Sequence, residues 1–198
     1  AQFAIQWNPF SNYMQTPIGK IEFEKNVPKQ SVENAIKYAD FAIGRFFNLA
    51  KKESYFKNTV FIVASDHNVR VYGDQVVPID MFQIPAVIVS QDIKSLVYSK
   101  LSSQADVLAT ALDLIGVDLS YPILGNSIFK DNKKEINLML FDETYAYRKS
   151  NKVAILIPNM DIKTYLYENK KLIEVEEDLT LEQEALALIY ILDDMYKN

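Results

Sequence analysis

The spacing of hydrophobic positions changes character along this chain. Residues 59–64, Thr-Val-Phe-Ile-Val-Ala, are apolar at every strand position and rich in β-branched side chains, the pattern of a strand covered on both faces inside a mainly parallel sheet. Residues 84–89 predict a second such strand, and residues 3–6 a first one. Helical spacing appears between them. Residues 31–52 carry Ile36, Ala39, Ile43, Phe46 and Phe47 at helical intervals behind Ser31, a suitable N-cap, so these side chains are expected in a core. Residues 102–115 predict another helix, closed by Gly116 at the position where a left-handed turn ends a helix. Residues 8–29, with Pro9, Pro17 and Pro28, read as a long loop.

After about residue 134 the pattern becomes an antiparallel meander. Short strands are predicted at 136–141, 144–148, 153–157 and 164–168, separated by Asp-Glu, Ser-Asn and Asn-Met-Asp turn signals. A last helix at 181–196 places Ala185, Leu188, Ile189 and Leu192 on one face, with Thr180 as its cap. The fold expected is therefore α/β. Residues 1–130 would form a mainly parallel sheet flanked by helices, and residues 131–198 a small antiparallel α+β portion of the same single domain.

The run at 59–64 empties into Asp66 and His67, and His67 is the only histidine of the chain. Ligands of open α/β sheets collect beyond the carboxyl ends of strands. A carboxylate oxygen beside an imidazole nitrogen suits a divalent ion, Mn or Zn among them. Neighbouring strand residues point to opposite faces, so the two share an ion only if the chain has left the strand at Ser65. The plainer alternative is an aspartate that caps its own turn through nearby backbone.

The surrounding residues add a family resemblance. Ser65-Asp66-His67-Asn68-x-Arg70-Val71-Tyr72-Gly73, then Val77-Pro78-Ile79, then Gln83-Ile84-Pro85-Ala86-Val87-Ile88-Val89 resembles the carboxyl half of the sulfatase and lipoteichoic-acid-synthase-like phosphoglycerol transferase family of the alkaline phosphatase superfamily. Two helical segments, 38–47 and 103–117, resemble the family in the same order, with Ala109 where the second pattern usually has proline. Several motifs in register are far more specific than one.

The resemblance implies displacement at a phosphate or sulfate ester, both of them tetrahedral anions. Asp66 and His67 would be metal ligands for Mn, Mg, Zn or Ca, and Arg70 would grip the anionic group through its planar fork of donors, with a surface salt bridge as the competing role. Asp40 and Asp106 are expected to be structural hydrogen-bonding residues. Two departures matter. The family's hydroxyl or formylglycine nucleophile and an acidic ligand are expected upstream, so the chain reads as a carboxyl-terminal piece of the catalytic domain, inactive alone and holding metal weakly or not at all. Trp7 stands where the family has a substrate-contacting His; its indole N–H retains one hydrogen bond for substrate binding. A non-catalytic descendant serving binding or assembly is the alternative class.

Composition narrows this further. A chain of 198 residues with 49% hydrophobic content can bury one sizeable core. A net charge of -5 without a long Lys/Arg cluster argues against nucleic acid as the partner. The runs at 170–171 and 174–178 read as solvated charge. Zero cysteines exclude disulfides and thiolate chemistry. No apolar stretch reaches the roughly 18 residues of a spanning helix. Relatives of the phosphoglycerol transferase type imply a bacterial envelope protein, anchored upstream in the inner or cytoplasmic membrane, with this soluble part outside the cytoplasm.

Overall fold

The computed structural model describes residues 13–16, 19–68, 73–117, 124–131 and 133–197. The strand expected at 3–6, together with Trp7 and Arg70, lies outside them. Two compact units are present, Ala1–Thr59 and Val60–Asn198.

In the first unit, β1 (Tyr13–Thr16) pairs antiparallel with β2 (Gly19–Glu22), Met14 opposite Ile21. This hairpin replaces part of the loop expected at 8–29. Helix α1 (Val32–Ala50) begins as predicted, with the Ser31 hydroxyl accepting from the Asn34 amide at 3.3 Å. Buried Asn34 fastens the preceding chain. Its side-chain amide donates to the Pro28 and Lys29 carbonyls at 3.1 and 3.2 Å, and its oxygen accepts from the Glu24 amide at 2.7 Å. The stripe expected in a core is present on α1 but open to solvent: Ile36, Ile43 and Phe46 are 58, 41 and 49% exposed. Periodicity fixes which side chains share a face, and says nothing of what covers it.

In the second unit, β3 (Phe61–Ala64) pairs with β4 (Ala86–Val89), Val63 opposite Val87. This pairing is antiparallel, as is every strand pair among the described residues, so the parallel neighbours expected of the 59–64 run are not among them. A continuous apolar run reports side chains suited to both faces of a strand; it carries no information on strand direction.

Helix α2 (Gln104–Leu114) opens with a reciprocal cap, in which the Ser103 hydroxyl accepts from the Asp106 amide and Asp106 accepts from the Ser103 amide. It closes at Gly116, whose φ of 70° is the left-handed value expected there. The segment from Gly125 to Ile128 then runs along this helix. Asn126 N–H donates to Asp106 at 2.7 Å, Ile128 N–H to the Thr110 hydroxyl at 3.0 Å, and the Ser127 hydroxyl to Asp113 at 2.6 Å. The approach is so close that a Cβ on Gly125 would meet the Ala105 carbonyl oxygen at 2.0 Å. Lys133 completes the seam: its ammonium lies 3.1 Å from Asp106, and both side chains are 4% exposed.

Strands β5 (Ile136–Phe141), β6 (Thr144–Lys149), β7 (Lys152–Leu156), β8 (Lys163–Glu168) and β9 (Lys171–Glu174) form one five-stranded antiparallel meander in sequence order. The last strand falls where the sequence reads as solvated charge. Asn169 and Lys170, both with positive φ, make the tight turn into it, and its charges suit an edge strand. Both sheet faces are covered. One carries Met139, Ala146, Val153, Ile155 and Tyr165 packed with Val77 and Ile79 from the segment before β4, where a short 3-10 helix spans Ile79–Phe82. The other carries Tyr147 and Ala154 under Leu181 and Ala185 of α3 (Leu179–Lys197). The alternation of Val153, Ala154 and Ile155 between the two clusters explains an unbroken apolar run in an antiparallel strand. Residues on both sides of position 130 thus share one core. Asp178, not Thr180, caps α3, accepting from the Leu181 amide at 3.1 Å, because its carboxylate sits one turn ahead of that amide. No helix among the described residues is long and apolar enough to cross a membrane.

Candidate functional site

Strand β3 ends at Ala64, and the chain turns at Asp66 and His67, the condition for these two side chains to meet. They do meet. Asp66 Oδ2 lies 3.7 Å from His67 Nε2, with the side chains 88 and 81% exposed. The other aspartate oxygen accepts from the His67 amide at 2.8 Å, so the carboxylate caps its own turn while leaving one oxygen outward.

His67 Nδ1 lies 2.9 Å from the Asn68 carbonyl oxygen. A carbonyl only accepts, so in the neutral ring the proton sits on Nδ1 and Nε2 keeps its lone pair. That lone pair and the outer oxygen of Asp66 face the same space. Two acceptors so placed can share a proton, a donor water or a cation, and one nitrogen plus one oxygen is a donor set that a divalent ion accepts. An imidazole whose second nitrogen donates to a carbonyl is also the arrangement that orients a metal-binding histidine. Among the described residues no group of three or more His, Cys, Asp or Glu could hold an ion. The pair supplies two donors, and Arg70 and Trp7 lie outside the described residues.

The turn carrying the pair is fastened from several sides. The Ser65 hydroxyl donates to the His67 carbonyl at 2.6 Å, and the Ser65 amide to the Pro85 carbonyl at 3.2 Å. Asn68 donates to the Gln83 and Asp80 carbonyls at 2.8 and 3.4 Å. From the first turn of α2, the Gln104 amide donates to the Ser65 and Asp66 carbonyls at 3.2 and 2.8 Å. Gln104 gave no sequence signal, since its partners are 38 and 39 residues away. Asp106 is structural, as expected, but as half of a buried ion pair. Asp40 is exposed on α1.

The loop behind the turn is tied to the meander. Gln75 donates to the Lys170 carbonyl at 3.1 Å and accepts from the Leu172 amide at 2.6 Å. The Tyr167 hydroxyl donates to Asp80, and the Arg148 guanidinium lies 4.6 Å from the Tyr167 ring centroid. Burial first, then the Asp80 carboxylate, pushes the Tyr167 phenol up to about 12. Burial and Glu184 do the same to Tyr147, which also reaches about 12. Raised phenol pKa values contribute stability that is complete below the ordinary value of 10 and lost as pH climbs through about 12. Urea midpoints are therefore expected to fall across that alkaline window, and Tyr167→Phe to flatten the fall. An equally steep fall in that variant would contradict the assignment.

A sequence model of the sulfatase family matches residues 14–117, a stretch that includes Asp66, His67 and Gln104. The crystal structure of a protein in the alkaline phosphatase superfamily from Vibrio parahaemolyticus superimposes with a TM-score of 0.84 at 33% identity. The match covers 93% of this chain and 46% of that one, so the chain spans about half the length of this relative.

Proposed function

Because this chain belongs to the sulfatase family, whose hydrolases and transferases in the alkaline phosphatase superfamily typically use divalent metals, we propose that it supplies part of the metal site of an enzyme acting on a phosphate or sulfate ester. The observation that carries this reading is the convergence of Asp66 Oδ2 and His67 Nε2 at 3.7 Å, with Nδ1 turned to a backbone carbonyl. When bound, a divalent ion there supplies charge to offset a developing oxyanion and to keep a hydroxyl nucleophile deprotonated. Asp66 contributes an anionic oxygen and His67 a neutral nitrogen. The Asn68 carbonyl keeps the ring oriented, and the Ser65 hydroxyl holds the turn closed. Arg70, three residues beyond His67, is assigned to the anionic group of the substrate, and Trp7 to one hydrogen bond at its edge. In this reading the nucleophile and a further acidic ligand are assigned to no residue of this chain. The full-length protein is assigned to the bacterial envelope, membrane-anchored upstream, with this region outside the cytoplasm.

In the full-length protein, Asp66→Ala or His67→Ala is expected to reduce ester turnover by more than the roughly 10–100-fold typical of a lost outer-shell contact. The 198-residue chain alone is expected to hydrolyse neither phosphate nor sulfate esters. Mn, Mg or Zn at about the dissociation constant of a millimolar site would stabilise it by less than about 1 kcal/mol. Full turnover in Asp66→Ala, or a large metal-dependent melting shift in the short chain, would overturn this reading. Trp7 in place of the family's histidine favours a second reading, a binding domain without turnover. An inactive full-length protein that still binds the ester would bear it out.

A further inference from the structure

We infer that Gln104 is a positioning residue for the Asp66 and His67 pair. Its two amide hydrogens go to consecutive carbonyls of the strand-end turn, Ser65 at 3.2 Å and Asp66 at 2.8 Å. The peptide unit between Asp66 and His67 is thereby gripped at both ends, its oxygen by Gln104 and its N–H by the aspartate's own carboxylate at 2.8 Å. The next carbonyl, that of His67, is held by the Ser65 hydroxyl at 2.6 Å. With these planes fixed, the Asn68 carbonyl stays under His67 Nδ1, and Nε2 is offered beside Asp66 Oδ2.

Gln104 can act as a rigid arm because its backbone is itself clamped. It lies between Ser103 and Asp106, which cap each other, and Asp106 is held by Lys133. Gln104 itself is exposed and fills no core space, so its contribution is to the turn's conformation rather than to folding. The role rests on the metal-site reading for its purpose. The geometry it enforces does not depend on that reading.

His67 is the only histidine, so imidazole nitrogen NMR signals report this one ring. In its neutral ring the wild-type chain is expected to hold the Nδ1–H tautomer, since Nδ1 faces a carbonyl. Gln104→Met keeps side-chain length and helix tendency while removing both donors. It should move the ring toward a tautomer mixture and raise the Mn2+ concentration that broadens the His67 signals by roughly fivefold, the weight of one net hydrogen bond. The melting midpoint should fall by no more than about 2–4 °C, and Gln104→Arg, which restores donors, should restore the tautomer. An unchanged tautomer in Gln104→Met overturns the proposal, and so does a lowered melting midpoint with the tautomer intact, which would mark a purely structural residue. If Mn2+ leaves the wild-type His67 signals untouched, the metal-site reading fails, and the tautomer comparison still decides the role of Gln104.

Discussion

Replacing Asp106 by alanine is expected to destabilise the chain by about 3–5 kcal/mol, the usual cost of stripping one partner from a buried ion pair. Three interactions end on this carboxylate. One oxygen accepts from the Asn126 amide at 2.7 Å, and the other from the Ser103 amide at 2.8 Å while lying 3.1 Å from the Lys133 ammonium. Without it, Lys133 keeps the Leu101 carbonyl at 2.7 Å and the face of Tyr98, neither of which neutralises a charge that is 4% exposed. Lys133→Met should cost less, because the remaining carboxylate still has two backbone donors. Chemical denaturation of the three proteins tests the order. A loss below about 1 kcal/mol in Asp106→Ala would show that water reaches the pair.

Ile155→Ala is expected to cost about 2–5 kcal/mol by removing a side chain that is 2% exposed at the centre of the meander core. The affected cluster includes Val77 and Ile79, so the loss should appear equally in probes of the loop and of the sheet. Two separate transitions, one for each, would contradict a shared core. Ile155 and Asp106 have no partner in common, so the double substitution should come close to the sum of the single ones.

The elements most legible in the sequence were those whose signals are local. Ser31 and Gly116 announce helix ends because a cap acts within one turn, and the meander strands are bounded by turn residues that must adopt positive φ, such as Asp142, Ser150 and Asn159. Asp66 and His67 were conspicuous as a polar pair at the end of an apolar run. What escaped was nonlocal or masked by competing signals. The prolines of residues 8–29 concealed the hairpin of β1 and β2, and the charges of Lys171 and Glu174 concealed an edge strand. The pairing direction of β3 could not be read from side chains suited to either direction. Gln104 and Lys133 act through backbone atoms and a buried carboxylate that only the folded chain brings to them.

The seating of Val77 and Ile79 in the meander core bears on how this region opens. Amide exchange in most surface loops proceeds by local fluctuation, at free energies far below that of global unfolding. Residues 77–79 lack that route, since Val77 is 0% and Ile79 5% exposed and Gln75 is joined to the edge strand just before them. The Val77 and Ile79 amides should exchange together with those of Val153 and Ile155, and a protease should find no early cut there. The turn bearing Asp66 and His67 is thus followed in the chain by a segment, Val77 to Ile79, that is expected to open only with the sheet core.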